Sequence, residues 1–175
     1  DMVAADDYMS ELLHVQPHFR TITQRETKAV LKVIAAESEA VSGKKASGII
    51  IDELWQFGKR ANAENMLREA TGGLASRPEG FAIYLTTKSD QPPAGVFAQI
   101  QSEFRDIRDG KIIDPRSMPI IYEFPGYMIK DESYLKPENW YIPNPNLGTS
   151  VDMEFMNDEF NRAQRNGKVS LAGFA

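Results

Sequence analysis

The chain has 175 residues, 20 basic against 25 acidic side chains for a net charge of −5, two histidines and no cysteine. That length fits one domain or one and a half and can fold without a metal or disulfide staple, and the missing cysteines exclude disulfides, thiolate zinc sites and cysteine nucleophiles together. The acidic balance leaves any nucleic-acid contact to a local basic patch, and no apolar run nears the ~20 residues of a membrane span. Residues 1–7 (DMVAADD) have neither the basic nor the apolar region of a signal peptide, and a natural start upstream of Asp1 is expected.

Met2, Val3, Met9, Leu12 and Leu13 match one helical face and predict a helix over 2–13, barred from continuing by Pro17. Residues 19–24 and 29–34 predict a hairpin turning near Glu26-Thr27, and the small, charged residues 37–47 a loop. Gly48-Ile49-Ile50-Ile51 does not alternate, which predicts a strand covered on both faces, as in a parallel sheet between helices. A helix over 61–71 stops at Gly72-Gly73, and a second buried strand follows over 81–87. Val96, Phe97, Ile100, Phe104 and Ile107 share one face of a helix over 94–108 that Gly110 closes. A third strand is predicted over 118–124, with Pro119 near its start. Pro125, Pro137, Pro143 and Pro145, with Asn139, Asn144 and Asn146, predict an extended, turn-rich segment. A last helix then runs to about residue 165, capped by Ser150 or Asp152. Strand and helix in alternation point to an α/β architecture.

The strongest chemical signal is the apolar strand that ends in Asp52-Glu53. Acids at the carboxyl end of a buried parallel strand sit where open α/β sheets bind ligands. In nucleotide hydrolases an acid there holds Mg²⁺ through its water shell, and a neighbouring glutamate can activate the attacking water as general base. The bland alternative is that strand ends meet solvent, where acids are common. Thr86-Thr87, at the end of the next strand, can hydrogen-bond a phosphate or its attacking water, although threonine is also simply a good strand residue.

Residues 42–47 (SGKKAS) miss a phosphate loop. Ser38 stands where the first glycine is needed, Lys45 replaces the hydroxyl, and the run leads into a strand rather than a helix. No other Gly-Lys-Ser/Thr occurs in the chain. His14 and His18 lack the acid of a His-Glu-x-x-His motif and read as surface residues. Gly72-Gly73 reads as a helix C-cap, Arg68 and Arg77 as exposed arginines, and Trp55, Trp140 and Tyr141 as packing residues.

Residues 48–60 (GIIIDELWQFGKR), 64–80 (ENMLREATGGLASRPEG) and 81–95 (FAIYLTTKSDQPPAG), followed by Tyr122-Glu123-Phe124-Pro125 and Asn144-Pro145-Asn146-Leu147-Gly148, occur in this order. The succession resembles the large subunit of tailed-bacteriophage terminases, the ATP-driven motor that packages DNA into procapsids. The resemblance implies a partial P-loop NTPase-like three-layer sandwich, with a mostly parallel central sheet and helices on both faces. It implies that residues 1–124 are the later part of the ATPase domain and 125–175 a linker segment with a terminal helix leading toward a nuclease domain. By the same resemblance Asp52 is the Walker B acid that binds Mg²⁺ through water, Glu53 the catalytic glutamate, and Thr86 and Thr87 the coupling motif. Lys44 or Lys45 is the basic residue expected to approach a neighbouring subunit's nucleotide.

The family's phosphate loop lies upstream of the Walker B strand, and no phosphate loop is present in this sequence. The parent protein is therefore expected to use Mg²⁺ and ATP as an ATPase, with an endonuclease activity besides, and the chain alone to be inactive with neither bound. Implied partners are double-stranded DNA, the small terminase subunit, the portal and further copies of the parent, in the host cytoplasm with no membrane contact. Two alternatives stand beside this one. A helicase-like ATPase also carries Asp-Glu after an apolar strand, and a non-enzymatic interaction module would have lost its nucleotide site.

Overall fold

The small β-rich part at the N-terminus is built by hydrogen bonding between three short strands. It belongs to a computed structural model of the chain that describes residues 3–35, 46–88 and 92–167. Helix α1 (Asp7–Leu12) is capped by Asp6, whose side chain accepts from the Met9 N–H at 2.8 Å. Strands β1 (Leu13–Gln16), β2 (Thr21–Gln24) and β3 (Val30–Lys32) then form an antiparallel sheet in the order β1-β2-β3. The expected hairpin is there as β2 and β3, with Thr23 opposite Val30. The helix expected over 2–13 is shorter: residues 3–5 are turns, the helix starts at Asp7 after its Asp6 cap, and Leu13 passes into β1, which pairs with β2.

Strands β4 (Gly48–Ile51) and β5 (Phe81–Tyr84) form a separate parallel pair, with Ile49 opposite Ala82 and Ile51 opposite Tyr84. Between them run the short α2 (Leu54–Phe57), α3 (Ala63–Gly72) and a 3-10 turn, Gly73–Ser76. Ala63, Met66 and Leu67 are buried on one face of α3, at the i, i+3, i+4 spacing that an amphipathic helix uses. With Ile51, Leu54 and Phe97 they make up the buried apolar residues of this part. Each of the larger side chains among them contributes about 1.5–3 kcal/mol through its removal from water. The chain passes from α3 straight into the 3-10 turn at Gly73, whose φ of −67° is right-handed, so these glycines do not form the left-handed cap that glycine pairs often supply.

The chain divides into two compact units, Asp1–Lys88 with Pro93–Phe97, and Ser89–Pro92 with Ala98–Ala175. Helix α4 (Gly95–Arg108) crosses this division, and Phe97 is its buried residue. It ends as expected at Gly110, which takes the left-handed φ of +74°.

In the second unit the expected strand over 118–124 is absent. Residues 117–125 form no regular element and have no ladder partner among the described residues. The turn-rich segment that follows is more ordered than its prolines suggest. Helix α5 (Gly126–Lys130) and two 3-10 turns, Ser133–Leu135 and Pro137–Asn139, wrap a core of Phe124, Met128 and Trp140. The Trp140 ring meets Phe160 edge-on at 5.1 Å, and its indole N–H donates to the Tyr134 carbonyl at 3.1 Å. The asparagines supply bonds that prolines cannot: Asn139 Nδ2 donates to the Ser133 carbonyl at 2.8 Å, and Asn144 Nδ2 to that of Trp140 at 2.9 Å. Helix α6 (Met153–Asn166) closes the unit, capped by Asp152, which accepts from the Glu154 N–H at 3.0 Å.

Candidate functional site around Asp52, Glu53 and Thr86

Strand β4 delivers Asp52 and Glu53 to its carboxyl end, and β5 delivers Thr86 beside them. The parallel ladder continues past both strands, since Leu85 N–H donates to the Ile51 carbonyl at 2.8 Å and Leu54 N–H to the Leu85 carbonyl at 3.1 Å. These two bonds fix the register of the loops that carry the site. Ile51 and Leu54, on either side of the acids, are buried at 7% and 2% exposure, so the acid pair is held between two anchored apolar residues.

The turn is tight. Asp52 Oδ1 accepts from the Glu53 N–H at 3.0 Å, and Glu53 takes a left-handed backbone with φ 53° and ψ 48°. That conformation is costly for a residue with a side chain, and such residues gather where the surroundings fix them. The carboxylate of Glu53 accepts from the indole Nε1–H of Trp55. Trp55 also donates its backbone N–H to Thr86 Oγ1 at 3.2 Å, and that hydroxyl in turn donates to the Thr87 carbonyl at 2.9 Å. Lys59 Nζ lies 4.3 Å from the centre of the Trp55 ring, a cation–π contact.

Of the residues singled out in the sequence, the fold thus gathers Asp52, Glu53, Thr86 and Thr87 into one turn. Asp52, Thr86 and Thr87 are exposed and Glu53 is half-buried. Lys44 and Lys45 lie outside the described residues. Trp55, read from the sequence as packing, is a polar member of the site; its two-residue spacing from Glu53 was the available signal, and it becomes informative only once the turn is known. Trp140 does pack, at 1% exposure, whereas Tyr141 is 63% exposed. His14 and His18 are exposed, Arg68 pairs with Glu64 at 2.9 Å, and Arg77 lies 3.7 Å from Glu79.

The expectation that both faces of β4 are covered holds for one face only. Ile51 is buried, but Ile50 is 57% exposed and its partner Ile83 is 42% exposed. Among the described residues no group of three or more acids and histidines could hold a metal ion by itself. No described helix is long and apolar enough to cross a membrane.

A parallel strand pair that presents acids and a hydroxyl at its carboxyl end, with helices in the crossover, is a partial α/β fold, and that end is where such sheets bind ligands. The chain has the fold of part of a phage large terminase: it is similar to the crystal structure of the HK97 bacteriophage large terminase, with a TM-score of 0.74 and 22% identity, over 94% of this chain. It spans about a third of that protein's length, 32%. No family model and no curated protein matches the chain.

Proposed function

We propose that the chain is part of a large terminase, an ATP-driven motor that packages double-stranded viral DNA into procapsids, and that the β4–β5 turn is its hydrolysis site. One observation carries this reading: the parallel ladder brings Asp52, Glu53 and Thr86 into a single hydrogen-bonded turn, at the edge where α/β sheets bind ligands.

Asp52 fits a magnesium ion. Mg²⁺ usually keeps several waters and takes one or two carboxylates together with substrate phosphates, so a single exposed carboxylate at a strand end suffices. Asp52 would hold the ion, which would supply charge neutralisation for the phosphates. Glu53 is the general base that takes a proton from the attacking water. Thr86 and Thr87 sense that event and pass it to the elements that move on DNA. The phosphate cradle comes from chain upstream of Asp1, and Lys44 or Lys45 reaches a neighbouring subunit's nucleotide. Residues 1–124 then belong to the ATPase domain and 125–175 lead toward a nuclease. The small subunit, the portal and further copies of the parent are the partners, in the host cytoplasm.

The test is Glu53→Gln in the full-length protein. ATP turnover should fall roughly 10²–10⁴-fold, the worth of a general base, with nucleotide binding retained. Turnover within about twofold of the parent would refute the role of Glu53.

A further inference from the structure

We infer that Trp55 is the positioning residue for Glu53, gripping its carboxylate through the indole N–H and tying it to Thr86 through the backbone. The inference rests on the reading of Glu53 as general base and adds the residue that orients it.

An unrestrained glutamate samples several rotamers, and a base that wanders spends little time aimed at its water. Three features of the turn remove that freedom. The left-handed backbone at Glu53 sends the chain back on itself, so that the residue two positions later reaches the carboxylate. The indole N–H can only donate, so it binds an acceptor and nothing else. It holds Oε2, which leaves Oε1 to take the proton. The indole is itself pinned. Its backbone N–H is bound to Thr86 Oγ1 at 3.2 Å, and Lys59 Nζ covers its ring at 4.3 Å.

Trp55 is therefore a bridge of two bonds between the base and the hydroxyl of the next strand. A shift of Thr86 moves the backbone of Trp55, and the indole carries that movement to Glu53. A tryptophan serving only to fill space would not direct its one polar atom at the carboxylate while its backbone holds the hydroxyl.

Trp55→Phe keeps an aromatic ring for Lys59 and removes the donor together with the pyrrole ring that carries it. In the full-length protein it should lower kcat about 10–100-fold, the worth of a hydrogen bond to a charged group. The KM for ATP should change less than about twofold, because the lost interaction acts on the chemical step. In a Glu53→Gln background the same substitution should cost nothing further, since the group it acts through is gone. An equal loss in both backgrounds, or full turnover in Trp55→Phe while Glu53→Gln is dead, overturns the inference and leaves the general base standing. Full turnover in Glu53→Gln overturns both.

A second readout is independent of activity. In the 175-residue chain, Glu53→Ala should shift the Trp55 indole N–H resonance and speed its exchange with solvent. The Trp140 indole resonance should stay in place and report an intact fold. An unmoved Trp55 signal overturns the contact itself.

Discussion

Arg105 and Glu123, eighteen positions apart, meet as a fork: Arg105 Nε donates to both oxygens of the Glu123 carboxylate, at 3.2 and 3.1 Å, and a second guanidinium nitrogen donates to Oε2. Arg108, one turn later on α4, donates to Oε1 at 2.6 Å. Two arginines of one helix thus hold Glu123, near the end of the irregular segment that precedes α5.

That fork makes the second unit sensitive to acid. Burial alone would raise the Glu123 carboxyl, but hydrogen bonds from Arg105 and Arg108 outweigh it and hold the group below its ordinary value of 4.5. A carboxyl depressed by folding contributes stability that is present above its unfolded value and lost as pH falls through the folded one. Glu123→Gln should therefore cost about 1 kcal/mol near neutral pH, a partly solvated pair being worth less than a buried one. The difference should close as pH drops below 4.5. Urea unfolding followed by Trp140 fluorescence, in a Trp55→Phe background, measures both values. A gap unchanged down to about pH 3 would refute the assignment.

Gly58 sits where no side chain fits. A Cβ there would stand 2.4 Å from the Ala94 carbonyl oxygen and 3.0 Å from Phe97 Cβ, and one on Gly95, with φ of +52°, would stand 2.8 Å from the Gly58 oxygen. The obstacle is backbone and cannot rotate away. Gly58→Ala should lower stability by about 1–3 kcal/mol, the usual range for overpacking. Gly72 is the control: it lies at the end of α3 with nothing within 4 Å of a Cβ. Gly72→Ala should be neutral or stabilising by up to about 1 kcal/mol, as Ala is the better helix former. Equal melting temperatures for the two variants would contradict the close approach.

The acids and threonines were legible because composition and order alone mark the end of an apolar strand. Their joining was not, because it depends on which strand pairs with which, and β4 and β5 are separated by two helices. Other differences have the same origin. Residues 118–124 have the β-branched and aromatic side chains of a strand but lack a partner among the described residues, and Leu13, read as the end of a helix, opens β1 instead. Three isoleucines forecast two covered faces; within this chain nothing described covers Ile50. Trp140 could be read as core from its chemistry, but the asparagine bonds that organise the segment around it show only in three dimensions.

Thr86 can be tested without any nucleotide. Its hydroxyl caps the Trp55 N–H, and Thr86→Val keeps the branched strand shape while removing the acceptor. The Trp55 amide should then exchange with solvent about tenfold faster, the effect of losing a bond worth roughly 1.4 kcal/mol. Amides of β4 that face β5, such as that of Ile49 opposite Ala82, should keep their rates. Unchanged exchange at Trp55 would show that the hydroxyl does not hold it.

The isolated chain should give no heat of binding with Mg-ATP in calorimetry. Asp52 and Glu53 are acceptors only and repel a triphosphate unless a cation and backbone N–H donors are supplied with it. Donors of that kind come from a glycine-rich loop opening a helix, and the sequence has no Gly-Lys-Ser or Gly-Lys-Thr. Lys59 lies over the Trp55 ring. On the proposed reading, the full-length protein should show saturable binding that Asp52→Ala weakens in the presence of Mg²⁺ and leaves unaffected in its absence. Saturable binding to the 175-residue chain would mean that its own residues form a phosphate cradle, and the division of labour with upstream chain would fall.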